Sequence, residues 1–270
     1  MKIINPLLLL VLWLGCVDVI ADASPFAGEH RTPEFVARDS YRHPVETLAF
    51  FQVEPGMTVV EISPGAGWYT EILAPLVHHG GADRGLLYAA HFPKDSGVSY
   101  YEQSLAKFNA KLAADPSVYG DVILSTFDPA NGVLTVPDGV ADRVVTFRNV
   151  HNWLRSDSEG KAFELFFRAL KPGGVLGVVE HRTSRTIDRA EMIRSGYMPE
   201  AYVIELAEKA GFVLAARSEL NANPKDTTDH PEGVWTLPPS LRLQEKDREK
   251  YQAIGESDRM TLKFIKPAAP

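Results

Sequence analysis

From residue 58 onward two hydrophobic patterns alternate along the chain. Short runs of β-branched and aliphatic residues at 58–62, 86–91, 122–126, 143–147, 175–180, 212–219 and 260–265 predict strands. Between them, amphipathic stretches at 69–77, 100–114, 158–170 and 200–210 predict helices. In the third of these, Phe163, Phe166, Phe167 and Leu170 fall on one helical face, which marks them as core. Seven strands alternating with helices predict one doubly wound α/β domain over 53–270, built on a mostly parallel sheet. Residues 24–52 precede the first strand as an extension with one helix at 45–51. The polar, proline-bearing stretch 221–256 reads as a long loop insertion before the last strand, and a connection of that length is either functional or disordered.

Residues 1–23 follow a different pattern. Lys2 supplies a positive start, 7–14 is an uninterrupted apolar run, and Ala21-Asp22-Ala23 places small residues for a cut before Ser24. This is the layout of a secretory signal peptide, so export to the periplasm or the medium is expected. The run is shorter than the roughly 20 residues of a membrane span. A second route is lipid anchoring through Cys16, the only cysteine, which follows Gly15. Cleavage at Ser24 would leave no cysteine, and hence no disulfide and no thiol nucleophile. It would also remove Lys2, Asp18 and Asp22, one base and two acids, taking the net charge from −7 to −6. A mildly acidic chain without a basic run does not suit nucleic acid, and a small-molecule partner is expected.

The most informative segment is Val59-Val60-Glu61-Ile62-Ser63-Pro64-Gly65-Ala66-Gly67-Trp68-Tyr69-Thr70. A strand ends beside an acid, and a loop of small residues opens onto a helix. Glycines at 65 and 67 allow a sharp turn and a close ligand, and free N–H groups at a helix start favour an anion. The Gly-Lys-Ser/Thr of a phosphate-binding loop is absent. A dinucleotide site would place a third glycine where Thr70 stands, and Glu61 would repel a pyrophosphate, which disfavours a nicotinamide dehydrogenase. The same acid suits a positively charged amino group.

This segment resembles motif I of class I S-adenosylmethionine-dependent methyltransferases, with Ser63 in place of the first glycine. The resemblance continues in order through Leu86-Leu87-Tyr88-Ala89-Ala90-His91, Asp128, the run from Ala141 to Trp153, and Leu170-Lys171-Pro172-Gly173-Gly174. The flanks Arg38–Pro44 and 223–239 are similar to a bacterial subgroup of predicted exported methyltransferases. The resemblance implies a Rossmann-like fold of seven strands, the last antiparallel, with helices on both faces. It implies S-adenosyl-L-methionine as cofactor, held by Glu61, Ser63, Gly65, Ala66, Gly67, His91, Asp128 and Asn149. His91 departs from the family, which usually carries an acid there for the ribose; a neutral imidazole could donate one hydrogen bond and accept another. Ser63 implies an altered loop path, with Pro64 fixing the turn.

Ligands of open α/β sheets lie at the carboxyl ends of the strands. That rule points to Arg148, Asn149, His151 and Asn152, and to His181 and Arg182. His151, or else His181, is the candidate base; the alternative for His151 is a hydrogen-bonded histidine packed under Trp153. Arg38, Asp39, Tyr41, Arg42 and His43 are either a solvated strip or a lid over the acceptor, helped by 226–235. His78-His79 reads as a helix end. No metal spacing and no Gly-x-Ser-x-Gly elbow is present, so neither a metal centre nor a serine hydrolase is expected. The function implied is methyl transfer to a small molecule; the alternative is an inactive exported protein that binds S-adenosylmethionine or a nucleoside.

Overall fold

The computed structural model describes residues 24–79 and 84–268; the expected signal sequence at 1–23, Cys16 included, lies outside them. The strands are β1 (Thr58–Ile62), β2 (Leu86–His91), β3 (Val122–Asp128), β4 (Val133–Leu134), β5 (Ala141–Phe147), β6 (Leu170–Thr183), β7 (Met198–Pro199), β8 (Val213–Ser218) and β9 (Arg259–Ile265). All seven predicted strands are present. The two additional ones are two-residue pairings, β4 antiparallel to β3 and β7 beside the end of β6. The predicted turn at Pro172-Gly173-Gly174 is absorbed into β6, whose pairing with β5 shifts register there.

The sheet order is β4-β3-β2-β1-β5-β6-β9-β8, with β9 inserted antiparallel between β6 and β8. β1 is parallel to β2 on one side and to β5 on the other. The chain therefore reverses its winding direction at β1, which opens a crevice beyond the ends of β1 and β5.

The period of two along each strand divides the core between the two faces. Val59 and Val145 pack with Leu48, Phe51, Ile72 and Leu73. Their neighbours Val60 and Val144 pack on the other face with Phe163, Phe166 and Val203. The first face is covered by α3 (Pro44–Phe50) and α4 (Thr70–His78), reached through the short turns α1 (Pro33–Val36) and α2 (Asp39–Arg42). α5 (Ser99–Ala114) and α6 (Pro116–Tyr119) follow β2, and α7 (Val150–Trp153) follows β5. α8 (Glu159–Ala169), α9 (Arg189–Ser195) and α10 (Glu200–Lys209) serve the second face.

The insertion 221–256 is ordered around one buried acid. Asp226 accepts hydrogen bonds from Tyr197 (2.7 Å), His230 (2.8 Å) and the Asp258 N–H (2.7 Å). A 3-10 turn, Gly233–Thr236, and α11 (Arg248–Ile254) lie within this stretch. No helix of the described residues is long and apolar enough to cross a membrane.

Candidate functional site

Two cavities meet over the glycine loop, one of about 360 Å³ and one of about 800 Å³, both touching Ser63, Gly65, Asn149 and Asn152. These are volumes typical of small-molecule sites. Glu61, Ala66, His151 and His181 line the smaller cavity. Asp128 lines the larger one, where it also caps the turn after β3 by accepting from Asn131.

Ser63 adopts φ 51°, the left-handed region where a glycine would be unstrained. The altered residue thus keeps a glycine-like backbone, and its N–H is held by the Ala90 carbonyl at 2.8 Å. Gly65, at φ 59°, has nothing within 4 Å of where a Cβ would stand, so its face opens into both cavities. Its N–H and that of Ala66 have no partner among the described residues. Gly67 lines neither cavity. A Cβ there would lie 3.1 Å from Phe108 and 3.2 Å from Lys111, so this glycine makes room for α5.

Glu61 is 2% exposed and accepts one side-chain hydrogen bond, from Thr70 Oγ1 at 2.6 Å. Burial pushes its carboxyl up to about 7 against the opposing pull of that hydrogen bond. Among the described residues no basic side chain pairs with it, which leaves room for a cation from a ligand.

His91 ends β2 against the same loop. Its Nε2 faces the Gly65 carbonyl at 3.3 Å, and its Nδ1 accepts the Phe92 N–H at 2.8 Å. Both nitrogens serve backbone groups, the ring packs on Phe108, and His91 lines neither cavity. Burial lowers its pKa, so the ring that holds the glycine loop is neutral.

Asn149 Nδ2 donates to the Ile62 carbonyl (3.0 Å) and to Thr146 Oγ1 (3.1 Å), tying the ends of β1 and β5 together at the crevice. Beside it, His151 Nδ1 lies 3.0 Å from Glu180 Oε1. Glu180 is fully buried and also accepts the backbone N–H groups of His151 and His181. A carboxylate only accepts, so Nδ1 carries the proton and Nε2 is left as an acceptor, with no partner among the described residues. The ring stands 5.2 Å from His181 and 6.0 Å from Trp235 between centroids. It does not sit under Trp153, whose ring packs on Phe127 and Phe166. His181 Nδ1 lies 2.5 Å from the Ser257 hydroxyl. Burial first, then nearby positive charge, drives the His181 pKa well down, keeping it neutral.

His151, Glu180 and His181 bring potential metal ligands within 4.8 Å of one another, a set that the linear spacing of the sequence hides. Glu180 already accepts three N–H donors, and Arg42, Arg148 and Arg259 act on His181 by charge, which opposes a cation at this point.

The 38–43 segment is neither a solvated strip nor a free flap. Arg42 is 3% exposed, with its guanidinium 4.5 Å from the Trp68 ring centre, and Arg38 is paired with Glu256 at 2.6 Å. Both line the smaller cavity with Arg148 and Arg259, and Trp235 from the insertion joins them. Linear reading missed Glu180 and Arg259, because only the fold carries them to β5. Arg182 is turned away into pairs with Asp258 and Glu219.

No family model matches the chain, and no curated protein does. Solved structures match it in fold. One, a SAM-dependent methyltransferase from Aquifex aeolicus, is 16% identical, with 85% of this chain and 93% of that one covered at a TM-score of 0.56. A second, the [4+2]-cyclase SpnF, is 15% identical over 85% of this chain and 82% of that one, TM-score 0.58. A third, a Haemonchus contortus phosphoethanolamine N-methyltransferase solved with S-adenosyl-L-methionine, is 14% identical over 84% and 52%, TM-score 0.54. The architecture is thus the Rossmann-like fold found in class I S-adenosylmethionine-dependent methyltransferases.

Proposed function

We propose that the chain transfers a methyl group from S-adenosylmethionine to a small-molecule acceptor. The observation that carries this reading is Glu61: a buried carboxyl without a basic partner among the described residues, at the switch point of the sheet, beside the open face of Gly65. An amino-acid moiety fits that pair of features, with its ammonium toward Glu61 and its carboxylate toward the Gly65 and Ala66 N–H groups. Asp128 in the adjoining cavity would meet the nucleoside end. Bound S-adenosylmethionine supplies a methyl on a sulfonium whose departure leaves a neutral thioether.

The protein's own task is then alignment and proton handling. His151 Nε2 takes the proton of an O–H, N–H or S–H acceptor as its lone pair forms the bond to the methyl carbon. Glu180 holds the resulting imidazolium at Nδ1. The inactive alternative would leave this histidine–carboxylate pair in the cavity without a task.

Calorimetry with S-adenosylhomocysteine tests the reading: binding is expected, and its absence removes the proposal. With labelled methyl donor and a cell extract, His151→Ala should lower incorporation about hundredfold or more while cofactor-product affinity holds. A rate equal to that of the parent chain takes His151 out of the mechanism.

Export is part of the same proposal and rests on Lys2, the 7–14 apolar run and Ala21-Asp22-Ala23. Intact mass of the protein recovered from expressing cells should begin at Ser24. An acylated Cys16 would instead establish anchoring, and an unprocessed chain would end the export reading.

A further inference from the structure

The wall of the smaller cavity holds more positive charge than the protein balances. Arg38, Arg42, Arg148 and Arg259 line it, and one carboxylate, Glu256, faces them. Glu256 accepts from Arg38 Nε at 2.6 Å and from Arg259 Nη2, and stands 3.5 Å from Arg42 Nε. Burial alone would raise this carboxyl, but Arg259, Arg42 and Arg38 outweigh it and hold it near 2. Glu61 lines the same cavity but makes no ion pair with these arginines among the described residues, so four guanidinium groups paired with the one carboxylate of Glu256 leave three without a charge partner.

The hydrogen-bond inventory agrees. All three guanidinium nitrogens of Arg42 are buried without a hydrogen-bond partner, as are Arg38 Nη2 and Arg259 Nε. The Arg148 guanidinium has no hydrogen bond or ion pair among the described residues, and burial followed by repulsion from Arg259 lowers it to about 10. Trp68 orients Arg42 through its ring face but accepts none of its N–H groups. Buried N–H donors left unpaired are costly, and planar guanidinium forks match carboxylate and phosphate oxygens.

We infer that this arginine wall binds an oxyanion of the methyl acceptor, so that the acceptor is a small molecule bearing a carboxylate or phosphate. The inference rests on the methyl-transfer reading for the word acceptor; the anion site itself does not. The methionine carboxylate of the cofactor accounts for at most one of the three charges, and its ammonium is matched by Glu61. The wall also stands next to the candidate base. Arg259 is in register with His181 across β9 and β6, and Arg148 immediately precedes Asn149 and the helix bearing His151. An acceptor anchored there by its anion would present a nucleophile to His151.

Titration calorimetry of the full chain with inorganic phosphate and with malonate, each with and without saturating S-adenosylhomocysteine, tests this. At least one oxyanion should bind with the cofactor product present, and Arg42→Gln should weaken it tenfold or more while S-adenosylhomocysteine affinity stays within threefold. Arg38 is more exposed than Arg42, so Arg38→Gln gives the same readout should the Arg42 variant fail to fold. The inference is overturned if neither anion binds the S-adenosylhomocysteine complex. It is equally overturned if the foldable arginine variants leave anion affinity unchanged, or if anion and cofactor product exclude each other, which would assign the wall to the cofactor. Anion binding without any S-adenosylhomocysteine binding would keep the site and remove the methyltransferase reading, so the two failures are distinct.

Discussion

Glu61 is a single carboxyl whose protonation decides what can bind beside it. Burial raises its pKa to about 7, so the free chain tolerates the acid form and is penalised by the anion. Its contribution to stability is therefore present below the ordinary carboxyl range and is lost as pH rises through about 7. Ligand binding has the opposite sign: an ammonium needs the carboxylate, so S-adenosylhomocysteine affinity should rise with pH toward 7 and level off above it. The slope below the plateau should approach about tenfold per pH unit. Glu61→Gln should abolish the slope; a flat profile in the parent chain would show that Glu61 does not meet the ligand's charge. The acid was legible in the sequence, since it ends a strand before a glycine loop. Its isolation was not, because that depends on which residues from elsewhere fail to reach it.

At the scale of elements, the loop joining β1 to α4 separates two glycines that look equivalent in sequence. Gly65 faces open space, whereas Gly67 lies under Phe108 and Lys111 of α5. Gly65→Ala should cost about 1 kcal/mol of stability through its positive φ and weaken S-adenosylhomocysteine by tenfold or more. Gly67→Ala should cost more stability, about 1–3 kcal/mol, because α5 must shift, with the smaller effect on affinity per folded molecule. Denaturant unfolding and calorimetry on the two variants separate these outcomes; equal affinity losses would mean that the loop acts as one unit. The strands themselves were readable because apolar runs with a period of two report burial directly. The pairings of β4 and β7 were not, since two residues carry no period.

For the whole molecule, the extension before β1 is built into the domain. Glu71 on α4 accepts from the Thr32 N–H at 3.0 Å and pairs with Arg31 and Lys111, and Trp68 donates to the Phe35 carbonyl at 3.0 Å. Asn221 bridges Thr47 and Thr261, joining the extension to the insertion and to β9. Limited proteolysis should therefore leave residues 30–43 resistant with or without S-adenosylhomocysteine. Ligand-dependent protection confined to that segment would restore the picture of a lid. The extension and the insertion enclose the cavity from two sides, and both contribute arginine or aromatic groups to it.

The sequence by itself determined the α/β class, the positions of seven strands and the strand–loop–helix that carries Glu61 and Gly65. Each of these is local: a period, a chain of small residues, an acid beside a turn. Only the tertiary structure decided that Gly67 and His91 serve the scaffold, that Glu180 holds His151, and that Arg38, Arg42, Arg148 and Arg259 share one wall. Those relations join residues separated by tens to hundreds of positions, as in the Arg38–Glu256 pair. Distance along the chain carries no record of such contacts, because they arise when the sheet reverses its winding and strands far apart in sequence end at one crevice.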